Sequence, residues 1–264
     1  MHDADPISAV PVVAGTVEAV GALLLAVTFG VLSRTSVRPY PRRWAWAWFC
    51  QAMAAAAMRC YVATGGTSQA GGGNAGRGWW IVYLVAGWYF AVGLWIGCRE
   101  MARGAAPDGA PGSDPRLPRL LWTGLPAAII LAGALIPFFL DLGALLCIQA
   151  AVLTIGYAAA FAALGPLPPP RRKGGFQLMR LALGWLAVQF ALYVALYLSA
   201  GPRGTTTGAA AAWLARAPLA ELAAQLLLGA GMALAAAGLG DLAGAGARDR
   251  RGSGNSPTGE TFRS

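Results

Sequence analysis

Seven stretches of the chain, at about residues 8–32, 44–64, 79–98, 118–139, 142–165, 177–200 and 214–240, run for about 20 residues or more with hardly a charge. A stretch of that kind spans the roughly 30 Å hydrocarbon core of a bilayer as a helix rising about 1.5 Å per residue. No water reaches that layer, so each backbone must satisfy its own hydrogen bonds, and such segments are helical. Only 12% of the 264 residues are charged against 57% that are hydrophobic, too few to build the polar shell of a soluble fold. The large aliphatic and aromatic content excludes a disordered chain. The expected fold class is therefore all-α: a polytopic seven-transmembrane-helix bundle over residues 1–241, with a disordered tail over 242–264.

Charges between the stretches set the expected orientation. Arg34, Arg38, Arg42 and Arg43 lie between the first and second, and Arg99, Arg103, Arg116 and Arg119 between the third and fourth. Arg171, Arg172, Lys173 and Arg180 lie around the fifth-to-sixth connection, and Arg248, Arg250, Arg251 and Arg263 in the tail. The opposite side has only Arg59, Arg77, Arg203 and Arg216 of the 20 basic residues. The positive-inside rule then places the N-terminus outside and the C-terminus in the cytoplasm. The abundance of Arg, Ala and Gly suggests a high-GC bacterium, hence a multi-pass protein of the bacterial cytoplasmic membrane. The first stretch is too long for a signal-peptide core and follows Asp3 and Asp5 with no basic residue before it, so it is expected to stay as a span.

The net charge of +9 is spread over four cytoplasmic segments, which fits topology and anionic lipid better than nucleic acid. Trp44, Trp46 and Trp48 are expected in an interfacial aromatic belt beside the first basic loop, with Trp79, Trp80 and Trp213 at the opposite interface. The connections 65–78 and 104–117 read as flexible linkers, and Pro166–Pro170 as a stiff turn. Cys50, Cys60, Cys98 and Cys147 have no metal-ligand spacing and read as small buried hydrophobes, and His2 is the only histidine. No metal and no cofactor is expected.

A charge near the bilayer centre costs about 2.5–3.5 kcal/mol on insertion scales, which makes intramembrane polar residues the best pointers to function. Glu18 is the sharpest, about 14 Å from the outer end of its helix, on a face shared with Ala14, Gly15, Gly21 and Ala22. Small neighbours are where another helix approaches, so Glu18 points into the bundle, either protonated or partnered. Arg59 is a candidate partner, on a face with Ala52, Ala55, Ala56 and Ala63, or else it snorkels to the headgroups. Gln189, Tyr193 and Tyr197 form one stripe, Glu221 and Gln225 are four apart, and Gln149 falls at similar depth. Of these, Glu18, Arg59, Gln149, Tyr193, Tyr197, Glu221 and Gln225 concentrate in the outer half, whereas Thr28, Gln51, Thr154, Tyr157 and Arg180 are assigned to the inner half. They form either a polar pocket open to the outside or separate interhelical hydrogen bonds worth about 0.6 kcal/mol each.

Two short motifs have bland readings. Gly93-x-x-x-Gly97 is a small-residue helix contact. Gly238-Leu239-Gly240-Asp241 resembles the intramembrane aspartyl-protease motif, yet the second aspartate such a site needs would be Asp141, about 30 Å away across the hydrocarbon. With no aspartate dyad, no usable histidine and no nucleophile–base pair, the chain is not expected to be an enzyme. The single lysine, Lys173, lies in a loop, which excludes a retinal Schiff base in the last helix. No D-R-Y or N-P-x-x-Y element stands where a G-protein-coupled receptor carries one.

Val17-Glu18-Ala19 in a Leu-rich first helix, the basic loop into Trp44-x-Trp46-x-Trp48, the Gly97-Cys98-Arg99-Glu100 exit and the closing stretch 226–241 carry a likeness over about residues 10–241. In these the chain resembles the seven-helix membrane input regions of bacterial histidine kinases and diguanylate cyclases. The resemblance implies a sensory module that binds a small or lipidic ligand, or senses membrane state, and relays helix shifts to a cytoplasmic partner. In that family the last helix continues into a coiled coil and an output domain; here a Gly-rich stretch without heptads runs to Ser264. The alternative is a small-solute transporter or channel subunit, which needs a continuous polar path and shows broken helices at midplane. The expected partners are the bilayer, a signalling protein of the kinase or cyclase type and a second copy in a homodimer, with no nucleic acid.

Overall fold

A computed structural model describes residues 6–35, 38–63, 74–104, 142–165, 174–200 and 218–237. Among them the chain is all-helical: α1 is Pro6–Thr35, α2 Tyr40–Ala63, α3 Asn74–Gly104, α4 Leu142–Ala163, α5 Gly174–Ala200 and α6 Pro218–Ala237. The stretch at 118–139, the tail and the aspartyl-protease-like motif lie outside the described residues. Helix starts follow from local chemistry. Pro6 stands at the first position of α1, where a missing N–H costs nothing and the fixed φ suits a helix. The end of α4 tightens as Leu164 and Gly165 donate to the carbonyls of Phe161 and Ala162.

Five of the six helices are long and apolar enough to cross a membrane, which gives the chain the build of a multi-pass membrane protein. The exception is α2, where Gln51, Arg59 and the tryptophans lower the mean hydropathy. The outward faces carry Leu23, Leu24 and Val27 of α1, Ile155 of α4, Leu181 and Val188 of α5, and Leu226 and Leu234 of α6. In water such a surface would aggregate; against lipid tails it is the stable one. Hydroxyls within the helices bond to their own backbone, Thr28 to Leu24 and Thr154 to Ala150, both at 2.8 Å.

The helices close into a ring through small residues. α1 and α2 are antiparallel, with Glu18 beside Gln51 and Phe29 beside Trp44. α2 and α3 are antiparallel too. Gly93 faces Ala47, at whose Cβ an added methyl would stand 3.1 Å away, and Gly97 lies against the indole of Trp44. The Gly93-x-x-x-Gly97 pair is thus the helix contact its spacing suggests. α3 and α4 run parallel: Gly87 meets Gln149, Phe90 meets Tyr157 and Ala91 meets Gly156. α4 pairs antiparallel with α5, where Arg180 stacks over Phe161 and Tyr157 meets Phe190. Gly175 and Gly231 bring the backbones of α5 and α6 into direct contact. α6 then returns to α1 in parallel, Gln225 reaching Glu18 and Gly229 seating Leu25.

This ring has two unlike ends. The C-terminal ends of α1 and α3 and the N-terminal ends of α2 and α5 carry Arg34, Arg42, Arg43, Arg99, Arg103 and Arg180. At this basic end Arg43 pairs with Glu100 at 3.5 Å and Arg99 lies over Trp95. The core fills the half nearest to it, with Phe29, Trp44, Trp48, Phe90, Leu94, Met179, Leu183 and Leu228 all buried.

The aromatic-belt expectation for the first tryptophan cluster is corrected. Trp44 and Trp48 are 0% exposed inside the bundle, and only Trp46, at 47%, faces outward. Helical periodicity explains it: positions 44 and 48 share one face and 46 lies on the other. At the opposite end Trp79 is exposed and Trp80 buried against Tyr61 and Tyr83. Trp213 lies outside the described residues.

Candidate functional site

The half of the bundle away from the basic end holds a cavity of about 660 Å³. It opens where the N-terminal ends of α1, α3, α4 and α6 meet the C-terminal ends of α2 and α5. Each of the six helices supplies a polar side chain to its wall: Glu18 from α1, Gln51 and Arg59 from α2, Tyr83 from α3, Gln149 from α4, Tyr193 and Tyr197 from α5, and Glu221 from α6. Ala54, Ala55, Ala150 and Leu153 fill the apolar part of the wall.

Glu18 is the centre of the polar network. Its Oε1 accepts from the Gln51 amide at 2.8 Å and from the Gln225 amide at 3.1 Å. The same Gln225 nitrogen donates to Glu221 Oε1 at 3.1 Å, one turn back along α6. The two carboxyl oxygens are therefore bridged by one amide, no farther apart than twice that distance. Gln51 reaches Glu18 because the two stand at equal depth, each twelve residues from the cavity-side end of its helix. That corrects the assignment of Gln51 to the inner half: α2 runs antiparallel to α1, and both helices extend beyond the apolar stretches that suggested their limits.

A second network runs along α5, where Trp185 Nε1 donates to Gln189 Oε1 at 3.0 Å and Gln189 Nε2 to the Tyr193 hydroxyl at 3.4 Å. The structure thus brings Glu18, Arg59, Gln149, Tyr193, Tyr197 and Glu221 to one cavity wall, with Gln189 and Gln225 one hydrogen bond behind it. Both partners shown for Glu18 are amides; Arg59 stands on the same wall nearer the mouth. Tyr83 was missed. Its signal was position: four residues before Gly87, which lies against Gln149, it shares the face that α3 turns to α4.

Toward the basic end the cavity is floored by Phe190, which belongs to a layer of aromatic rings. Trp48 and Phe90 are 5.5 Å apart, Phe90 and Tyr157 6.0 Å, and Tyr157 and Phe190 5.6 Å, so four helices meet ring to ring. Beyond that layer lies the packed core. Among the described residues no group of three or more His, Cys, Asp or Glu could hold a metal ion. No protein-family model, curated protein or solved structure matches the chain.

Proposed function

We propose that the chain is a seven-helix sensory or regulatory module of a bacterial cytoplasmic membrane, which receives a small or lipidic ligand in this cavity and relays helix shifts to a cytoplasmic signalling partner. The observation that carries the reading is that every described helix contributes a polar group to a single wall. A molecule seated there touches the whole ring, and wherever it fits one packing better than another it shifts the population toward it. The aromatic layer favours reception over passage, since a transporter or channel needs a polar path that continues through the bilayer.

Chain direction supports the seventh helix. α3 and α4 both begin at the cavity end, so the chain between Gly104 and Leu142 must travel from the basic end back again. The apolar stretch 118–139 lies within that return. The arginines at the opposite end support a cytoplasmic placement for it, and hence a cavity open to the outside. The kinase or cyclase partner rests on the resemblance of residues 10–241 to input regions of such proteins.

Cysteine accessibility tests the reading. The four native cysteines are replaced by alanine and single cysteines placed at Ala55, on the cavity wall, and Leu183, in the core beyond the floor. A membrane-impermeant thiosulfonate added to whole cells should modify the first and not the second. A bulky adduct at position 55 should also change the distance between spin labels at Thr35 and Arg103 on the basic end. Modification of both positions would favour a conducting path, and an unaltered label distance would refute the relay.

A further inference from the structure

A second surface, distinct from the cavity, lies between α4 and α5 near the basic end. We propose that this groove binds an anionic phospholipid of the adjoining leaflet, with the lipid phosphate on Arg180 and an acyl chain laid along α5. The groove measures about 520 Å³ and is lined by Phe161 of α4 and, among others, by Gln177, Arg180, Gly184, Trp185 and Val188 of α5. The α5 positions recur at three- and four-residue steps and so form one stripe of the helix. Polarity changes along that stripe. Gln177 and Arg180 stand within the first two turns of α5, whereas Leu181, Trp185 and Val188 beyond them are 68%, 57% and 59% exposed. From Gln177 to Val188 the helix rises about 16 Å, roughly half of the hydrocarbon thickness. The polar head and apolar run of the groove thus match, in order and in length, one phospholipid in the leaflet at the basic end.

Charge selects the headgroup. The Arg180 guanidinium lies 5.0 Å from the centre of the Phe161 ring, which holds it against α4. Stacking occupies a face of the guanidinium and leaves its edge, where the N–H donors are, for a phosphate. Among the described residues Arg180 has neither a carboxylate nor a hydrogen-bond acceptor, and none of those lining the groove is acidic. Arg43, at the same end, differs in that Glu100 already pairs with it. An arginine on a lipid-facing stripe is costly without a counter-charge, and an anionic headgroup supplies one. Arg171, Arg172 and Lys173 directly precede Gly174 in the sequence and add charge of the same sign next to the start of α5. The apolar part is shaped for a chain. Gly184 leaves a gap in the stripe: a Cβ there would lie 3.5 Å from the Phe161 ring, so a methyl only touches the wall while a leucine fills the slot. Trp185 donates its indole N–H to Gln189 at 3.0 Å, which satisfies its one polar group and leaves an apolar ring toward the lipid.

The test titrates the full chain, in a neutral detergent, with dioleoyl phosphatidylglycerol or dioleoyl phosphatidylcholine, whose chains are identical, and reads bound lipid by native mass spectrometry. The first phosphatidylglycerol should bind at least about fivefold more tightly than the first phosphatidylcholine. Arg180→Gln should weaken that first phosphatidylglycerol by about fivefold, whereas Arg34→Gln, which removes one exposed charge at the same end but outside the groove, should leave it unchanged. Gly184→Leu should weaken it as well, by filling the slot that the chain occupies. Equal affinity for the two lipids in the parent protein overturns the proposal. So do equal losses in Arg180→Gln and Arg34→Gln, which would show diffuse attraction to the basic end, and so does an unaltered affinity in Gly184→Leu, which would show a headgroup held without a seated chain. A second measurement keeps the test decisive should Arg180→Gln or Gly184→Leu fail to fold. In nanodiscs of phosphatidylcholine carrying a minor fraction of chain-brominated lipid, brominated phosphatidylglycerol should quench tryptophan fluorescence more than brominated phosphatidylcholine does. Trp185→Phe, a change on the lipid-facing surface, should remove much of that excess; an excess unchanged in this variant overturns the proposal by itself.

Discussion

Replacing Gly156 with alanine places a methyl group 2.6 Å from the Cβ of Ala91 on the neighbouring α3. Carbon atoms rest at about 3.5–4.0 Å, so α3 and α4 must part by about 1 Å. The obstacle is a methyl fixed to a helix backbone at 3.3 Å from the same point, and it has no rotamer through which to escape. Overpacking of this kind costs about 1–3 kcal/mol, while alanine in place of glycine in a helix returns about 1 kcal/mol. The net expectation is a loss of up to about 2 kcal/mol. Gly30→Ala is the internal control: nothing lies within 4 Å of its Cβ position, so only the helix-propensity gain of up to about 1 kcal/mol remains. Unfolding in mixed micelles with rising dodecyl sulfate, followed by far-ultraviolet circular dichroism, should therefore move the two midpoints in opposite directions. Because Gly156 adjoins Tyr157 in the aromatic layer, its alanine variant should also render a cysteine at Leu183 reactive from outside. If Gly156→Ala proves as stable as Gly30→Ala, α3 and α4 do not meet as described and the parallel pair is wrong.

Trp48→Ala should cost about 3–5 kcal/mol, as for a large buried aromatic, whereas Trp46→Ala, on the lipid face, should stay close to the parent in the same micelle assay. Gln51→Leu removes a donor to Glu18 and should cost about 0.6–1.7 kcal/mol; in a Glu18→Gln background the loss should shrink, giving a measurable coupling in a double-mutant cycle. The half-exposed Arg43–Glu100 pair should couple by less than about 1 kcal/mol, and raising the salt concentration should weaken it further. Fusions at Ser264 should be fluorescent with green fluorescent protein and inactive with alkaline phosphatase; the reverse would invert the proposed orientation.

Helices were legible because apolar length is a local property, and α1, α4 and α5 lie within a few residues of the stretches that announce them. Glu221 and Gln225 were legible as a pair because four residues make one helical turn. Glu18 with Gln225 was not, being 207 positions apart; the bond exists because Gly229 lets α6 close on α1 at Leu25. Depth was the weakest inference. Counted from the edge of an apolar stretch, Gln51 falls on the wrong side of the midplane, while counted from the helix end it matches Glu18. Trp44 and Trp48 were misplaced because proximity to a basic loop outweighed their shared helical face, where Gly97 leaves room for an indole.

A last consequence attaches to α2, the helix whose own composition does not suit hydrocarbon. Lipid alone gives it little reason to leave the aqueous pore of the insertion machinery, so it has to be handed over already cradled. Phe29 of α1 and Gly97 of α3 both grip Trp44, and the amide of Gln51 needs Glu18. The expected outcome is that the first three helices insert together, so that a ribosome stalled after Ala63 leaves α2 exposed and readily degraded, whereas one stalled beyond Gly104 does not.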